Sequence, residues 1–216
     1  FEVYLSSEVN ILGTLTFSSD NDLITNGNTL TITKTPVGYS DNRLIRGGSS
    51  STVDVKYASS STSQCLIPFG VDGSLRTIGV QATSSTPETF TALYTPGSPT
   101  TIDWATYPNT GVPVNGSNLA HVNIDYYYDI STAGSINANI TMGYNGINTP
   151  ASQSDMYMAH WDGSEWDELT TSSTTASSVT SQVTSFSPFT QGSGGLPLSG
   201  GYPKTHVPDD NFENYL

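Results

Sequence analysis

The stretch from Asp155 to Leu169, DMYMAHWDGSEWDEL, leaves the chain few ways to fold. Met156, Met158 and His160 alternate with Tyr157, Ala159 and Trp161, and a period of two belongs to a β-strand. Asp162-Gly163 supplies turn chemistry, because glycine reaches positive φ without a steric penalty. From Glu165 to Leu169 the alternation resumes, with Trp166 and Glu168 on one face and Asp167 on the other. The predicted element is a tight hairpin across which Trp161 and Trp166 pack. A Ser/Thr-rich connector follows, and Val179, Val183, Phe186 and Phe189 lead into a closing strand near residues 185–190. These residues read as the end of a β-domain, with a Gly-rich linker beyond.

The rest of the chain is written in the same hand. Between Asn10 and Thr33, short apolar pieces containing Leu12, Leu15, Phe17, Leu23, Leu30 and Ile32 are separated by Ser-Ser-Asp-Asn-Asp and Asn-Gly-Asn. Gly13–Phe17 and Asn28–Ile32 are two copies of one small pattern. Short strands at this spacing suit solenoid coils or a β-meander. Further strands are predicted at 53–57, 76–80, 88–94, 121–130 and 138–144. In the stretch Cys65–Gly73, Pro68 starts or edges a strand and Gly70 and Gly73 bend the chain between strands, and a long Pro/Gly/Asn/Thr-rich excursion runs from Thr95 to Asn118. The predicted fold is all-β, with short N-terminal solenoid-like or meander strands leading into an antiparallel β-sandwich. The expected organisation is a short-strand segment at 1–60, the sandwich at 61–192, a Gly/Pro-rich linker at 193–204 and the start of a further module at 205–216.

Composition narrows the partners. Nineteen acidic residues stand against six basic ones, for a net charge of −13, which argues against nucleic acid and against an anionic membrane surface. No apolar run approaches the ~20 residues of a membrane-spanning helix. Heavy use of Ser, Thr, Gly and Asn disfavours helix, because these side chains compete for backbone hydrogen bonds or lack helix propensity. Phe1–Leu5 already reads as strand and carries neither an initiator Met nor a leader. A mature form or a piece of a longer chain is expected.

A resemblance rests on particular phrases. Trp161-Asp162-Gly163-x-x-Trp166, a Ser/Thr stretch, and Phe186-Ser187-Pro188-Phe189-Thr190-x-Gly192-Ser193 resemble the closing module of large Bacteroidetes surface proteins, typically cargo of the type IX secretion system. The repeated pattern at 13–17 and 28–32 is similar to repeats of the same proteins, and Ile67-Pro68-Phe69-Gly70 is similar to the phrase that starts their sandwich. Near the C-terminus, Val207–Leu216, VPDDNFENYL, resembles the capping start of a leucine-rich-repeat region. The resemblance implies an extracellular protein at the bacterial cell surface, with surface glycans or other copies and modules of the same protein as partners.

Candidate chemistry is sparse. Trp104 and Tyr107 on the long excursion, with Tyr127 from the Tyr126-Tyr127-Tyr128 run, are candidate sugar-stacking groups. Asp162, Glu165 and Asp167 around the Trp hairpin are the candidate ligands for calcium, the one cofactor considered, although no EF-hand or nonapeptide spacing accompanies them. Cys65 is the only cysteine and is flanked by Leu66, Ile67 and Phe69. It reads as a buried structural thiol. His121, His160 and His206 lack zinc-site spacing, and there is no nucleophile elbow, phosphate loop or dinucleotide fingerprint. No catalytic residue is assigned. The expected function is a non-enzymatic surface module, an adhesin segment or structural spacer; the alternative is a carbohydrate-binding module of a secreted polysaccharide-degrading enzyme.

Overall fold

The structure is a computed structural model that describes residues 2–47, 53–71, 73–97, 114–115, 118–119, 121–123, 125–144, 153–163, 165–186 and 188–194. Its first third winds. Strands β1 (Val3–Tyr4) and β2 (Val9–Ile11) make one coil, β3 (Leu23–Ile24) and β4 (Leu30–Ile32) a second, and β5 (Ile45–Arg46) and β6 (Val53–Ser59) a third. Val3 lies opposite Leu23, Leu23 opposite Ile45, and Ile45 opposite Phe69, all in parallel. On the other side, Val9, Leu30 and Val55 form one parallel ladder and Ile11, Ile32 and Tyr57 another. A meander would pair antiparallel, so parallel registry decides for solenoid coils. Thr16 and Val37 bridge on a third side, where Phe17 N donates to Val37 O at 2.9 Å.

The coil corners are built from the residues that separate the apolar pieces. Asn26 and Gly27 take φ of 52° and 80°, left-handed values that Asn and Gly tolerate best. Asn28 Nδ2 reaches back to Leu5 O at 3.0 Å, and Thr33 Oγ1 to Leu12 O at 3.0 Å. Arg46 joins three coils: its guanidinium bonds Asp22 at 2.9 Å and also contacts Glu2. Two of the six basic residues, Arg43 and Arg46, thus neutralise carboxylates at coil corners.

The sandwich follows without a break. Its strands are β7 (Cys65–Val71), β8 (Ser74–Ala82), β9 (Glu88–Pro96), β10 (Val114–Asn115), β11 (His121–Val122), β12 (Tyr126–Thr132), β13 (Ala138–Gly143), β14 (Met156–Trp161), β15 (Trp166–Leu169), β16 (Thr171–Thr174), β17 (Ser178–Val183) and β18 (Pro188–Ser193). The smaller sheet runs β1-β3-β5-β7-β8-β13-β17-β16 and the larger β10-β15-β14-β18-β12-β9-β6-β4-β2, with β11 beside β18. β6 pairs parallel with β4 and antiparallel with β9; β7 pairs parallel with β5 and antiparallel with β8. A boundary near residue 60 therefore falls between two strands that each belong to both architectures. Both sheets are mixed, and antiparallel pairing dominates the sandwich alone.

One core fills the space between them. Side chains alternate inward along β6, β9 and β12, as in the buried Val53, Val55, Tyr57 and Ser59 of β6. Phe69 sits 6.0 Å from the Tyr94 ring and 6.1 Å from that of Tyr128, and Tyr57 stacks on Phe90 at 5.8 Å. Cys65 belongs to this core and is 3% exposed. Burial pushes its thiol up to about 12, against a smaller opposing effect from Thr35. Such a thiol is not a thiolate nucleophile.

Three sequence expectations change shape. The Ser/Thr-rich connector holds β16, which hairpins with β17 in the smaller sheet before the chain returns as β18 beside β14. The strand expected at 121–130 is broken, because Asn123 Oδ1 accepts from Asp125 N at 3.0 Å and its amide donates to Gln191 at 3.0 Å. Finally, β18 continues through Ser193, one residue into the stretch read as linker. The linker beyond Gly194 and the module at 205–216 lie outside the described residues.

Candidate functional site on the outer face of the larger sheet

Alternation that sends Tyr126, Tyr128 and Ile130 into the core sends Tyr127 and Asp129 outward. On β14 the same rule sends Met156 and Met158 in and Tyr157, Ala159 and Trp161 out. Register then sets the neighbours. Trp161 lies opposite Trp166, and Ala159 opposite Glu168 on one side and Thr190 on the other. Tyr128 lies opposite Phe189, which places Tyr127 and Asp129 one strand beyond β18 from the tryptophans. With strands about 4.8 Å apart, the strand of Tyr127 and that of Trp161 are separated by roughly 10 Å.

These residues form a second, smaller apolar cluster. Leu119, Val122, Ala159 and Trp166 are buried in it, and Tyr127, Tyr157 and Trp161 pack half-buried around them. The tryptophan rings meet edge to face, centroids 5.4 Å apart at 62°, a favourable arrangement of their quadrupoles. Trp166 is 0% exposed, and its indole Nε1 has no hydrogen-bond partner among the described residues. The segment that covers it is pinned by Glu168, whose carboxylate accepts from Asn118 N, Asn118 Nδ2 and Leu119 N at 2.9–3.0 Å. Burial pushes the Glu168 carboxyl up, but these three bonds outweigh it and hold the group below its ordinary range. Gly192 makes the close approach possible, since a Cβ there would collide with the Leu119 side chain.

Asp129 is the unusual member. It is half-buried, no hydrogen bond or ion pair reaches its carboxylate among the described residues, and burial raises its pKa. A partly desolvated carboxylate that no protein donor reaches can accept from a ligand that brings hydroxyl donors.

No known protein family, curated protein or solved structure matches this chain. The geometry must therefore speak for itself.

It gathers some of the residues singled out by sequence and separates others. Tyr127 is on this outer face; Trp104 and Tyr107 lie outside the described residues. Trp161 and Trp166 are the packed hairpin pair. The candidate calcium ligands do not form a metal centre. Asp162 Oδ1 accepts from Glu165 N at 2.8 Å and closes the turn, while Asp167 lies opposite His160, whose ring faces the core-side Phe189 at 5.1 Å. Among the described residues, no three His, Cys, Asp or Glu side chains are grouped to hold a metal ion. Burial lowers the His160 pKa, opposed in part by Asp167 and Asp162.

Sequence reading missed Asp129, Gln191 and Arg76. Gln191 is fully buried and donates to Tyr126 Oη at 3.1 Å and Gly143 O at 3.0 Å, while its carbonyl accepts from Asn123. Arg76 enters the interior from β8, lies 4.2 Å from the Tyr126 ring centroid and donates to Tyr94 Oη. Position parity gave a signal for Gln191 and Arg76, polar side chains on the core-facing side of their strands, and none for Asp129, which lies on the outward side.

Proposed function

We propose that this chain is a non-enzymatic module of a long extracellular bacterial protein, an adhesin segment or structural spacer displayed at the cell surface. The observation that supports it is continuity: both sheets pass from stacked coils into the sandwich through β6 and β7 with no linker between. Tension applied along the coil stack enters the sandwich through two hydrogen-bonded strands and a shared core. A spacer built this way unfolds as one unit. Pulling between handles at Glu2 and Gly194 should give a single dominant rupture; coils that peel away separately at low force would sink the spacer reading.

A second reading has its own support. Tyr127 and Asp129 on β12 and Trp161 on β14, two strands away, put aromatic rings and a carboxylate on one sheet surface, a combination suited to stacking on sugar rings and accepting from their hydroxyls. A glycan array, run with and without calcium, tests this carbohydrate-binding alternative. Binding that is lost in Tyr127→Ala and Asp129→Ala would favour it, and binding unaffected by both would remove it.

A further inference from the structure

We propose that the outer face of the larger sheet selects an amino sugar, a saccharide carrying a protonated amine, over its neutral counterparts. The inference rests on the carbohydrate-binding reading of this face and names the sugar class it takes. Register carries it. Asp129 lies opposite Leu93 on one side and Pro188 on the other, and Leu93 lies opposite Asp54. His160 pairs with Phe189, so Trp161 takes the next position, beside Pro188. One row across five neighbouring strands therefore reads Trp161, Pro188, Asp129, Leu93 and Asp54, with the side chains on the same face. Tyr127, two residues before Asp129, shares that face.

The row is an apolar platform interrupted by carboxylates. Leu93 and Pro188, both half-buried, flank Asp129 and shield it from water, and burial pushes its carboxyl up. Across Leu93, one Asp54 oxygen accepts from Thr29 Oγ1 at 3.2 Å. The other is buried with no hydrogen bond among the described residues. Ion pairs among those residues belong to Arg43 and Arg46, so neither acid is neutralised. Lys56, two residues beyond Asp54 on β6, is exposed and makes no ion pair with either.

Charge then decides between sugars. A hydroxyl gives Asp129 a hydrogen bond and leaves its charge uncompensated, while Asp54 in the same row adds to the negative potential. An ammonium supplies the bond and the opposite charge together, at a place where partial burial weakens screening by salt. The aromatic faces of Tyr127 and Trp161 attract a cation as well as an apolar sugar face. A net charge of −13 draws such a ligand in from a distance. Trp161 and Asp129 stand two strands, roughly 10 Å, apart, so one ring can stack while a linked ring presents its amine.

The test titrates the full chain calorimetrically with three oligosaccharides of one length and linkage, built from glucose, N-acetylglucosamine or glucosamine. Weakly acidic buffer keeps the free amine protonated. The glucosamine oligomer should bind about five- to tenfold tighter than the other two. Asp129→Asn keeps an acceptor oxygen without the charge and should erase that difference, and Asp129→Glu should restore it. Glu8→Gln, at an exposed carboxylate between β1 and β2, should leave the difference in place. Equal affinity for the three oligomers overturns the amino-sugar inference and leaves the sugar site standing. So does a preference that Glu8→Gln removes as fully as Asp129→Asn, since general charge would then be its source. No binding by any of the three removes the carbohydrate reading and the inference with it.

Discussion

The coils and the sandwich use the same apolar alphabet, but they hold themselves together in opposite ways. A coil contributes two strands of two or three residues and depends on the coil above and below for its cover. The sandwich strands β8 and β9 run nine residues each and pair over their whole length with long antiparallel neighbours. Coil stability is therefore a nearest-neighbour quantity that decays with distance from a cap, and the sandwich is that cap. Exposure along the ladder, 0% at Phe69 and Ile45, 8% at Leu23 and 53% at Val3, is this decay seen in atoms.

The largest effect belongs to the sandwich. Trp166 is completely buried between Trp161, Leu119 and Val122, and truncating such an aromatic costs about 3–5 kcal/mol. Trp166→Ala should lower the melting temperature sharply and loosen the segment at 118–119. A melting temperature within error of the parent would mean that the outer-face cluster contributes nothing to stability.

The ladder provides the sharpest comparison of the two regions, because one kind of change can be made at successive rungs. Ile45→Ala removes a fully covered side chain at the junction and should cost about 2–5 kcal/mol. Val3→Ala, at the open end, should stay within about 0.5 kcal/mol. Leu23→Ala belongs between them. Chemical denaturation of the three variants gives the order directly, and equal costs at Val3 and Ile45 would break the picture of stability fading along the stack.

Much of this architecture could be read from the sequence, and the reason is periodicity. Alternation in 156–161 and 166–169 with Asp-Gly between them specified the Trp hairpin down to the facing pair. The similar phrases at 13–17 and 28–32 do not hold equivalent places, since 28–32 contains β4, which pairs with Val9–Ile11, while Thr16 only bridges Val37. Coil versus meander turns on parallel pairing between residues about 20 apart, which no local pattern states. β16 was hidden because Thr-Ser-Ser-Thr at a polar edge looks like loop. The site was harder still. Tyr127 could be placed on a face by parity alone, whereas the isolation of Asp129 depends on what the two flanking strands, β18 and β9, leave undone around it.

Acid titration separates two smaller effects within the sandwich. His160 and Glu168 both have folded pKa values below their ordinary ones. For each, the contribution to stability is present above the unfolded pKa and is lost as pH falls through the folded one. His160 should therefore give a shallow loss beginning below roughly pH 6.5, and Glu168 a further one below roughly pH 4.3. His160→Gln should remove the first step and Glu168→Gln the second, each measured as the midpoint of denaturation against pH. A profile in which neither variant alters its own step would show that the three bonds from Asn118 and Leu119 do not hold the Glu168 carboxylate.

Asp129 should give the smallest effect, of opposite sign. Burial raises its folded pKa, so the folded state prefers the protonated acid. The associated stability is complete below the unfolded pKa near 3.9 and is lost as pH rises through the folded value. At neutral pH the charged group is thus a burden on the fold. Asp129→Asn should raise the melting temperature at pH 7 by on the order of 1–2 °C, since partial exposure screens most of the penalty, and should leave it unchanged near pH 3. A rise at both pH values would point to packing rather than charge as the cause. A fall at pH 7 would show that the carboxylate is held by a donor, and the outer face would then lose the unsatisfied acceptor on which its sugar-binding reading depends.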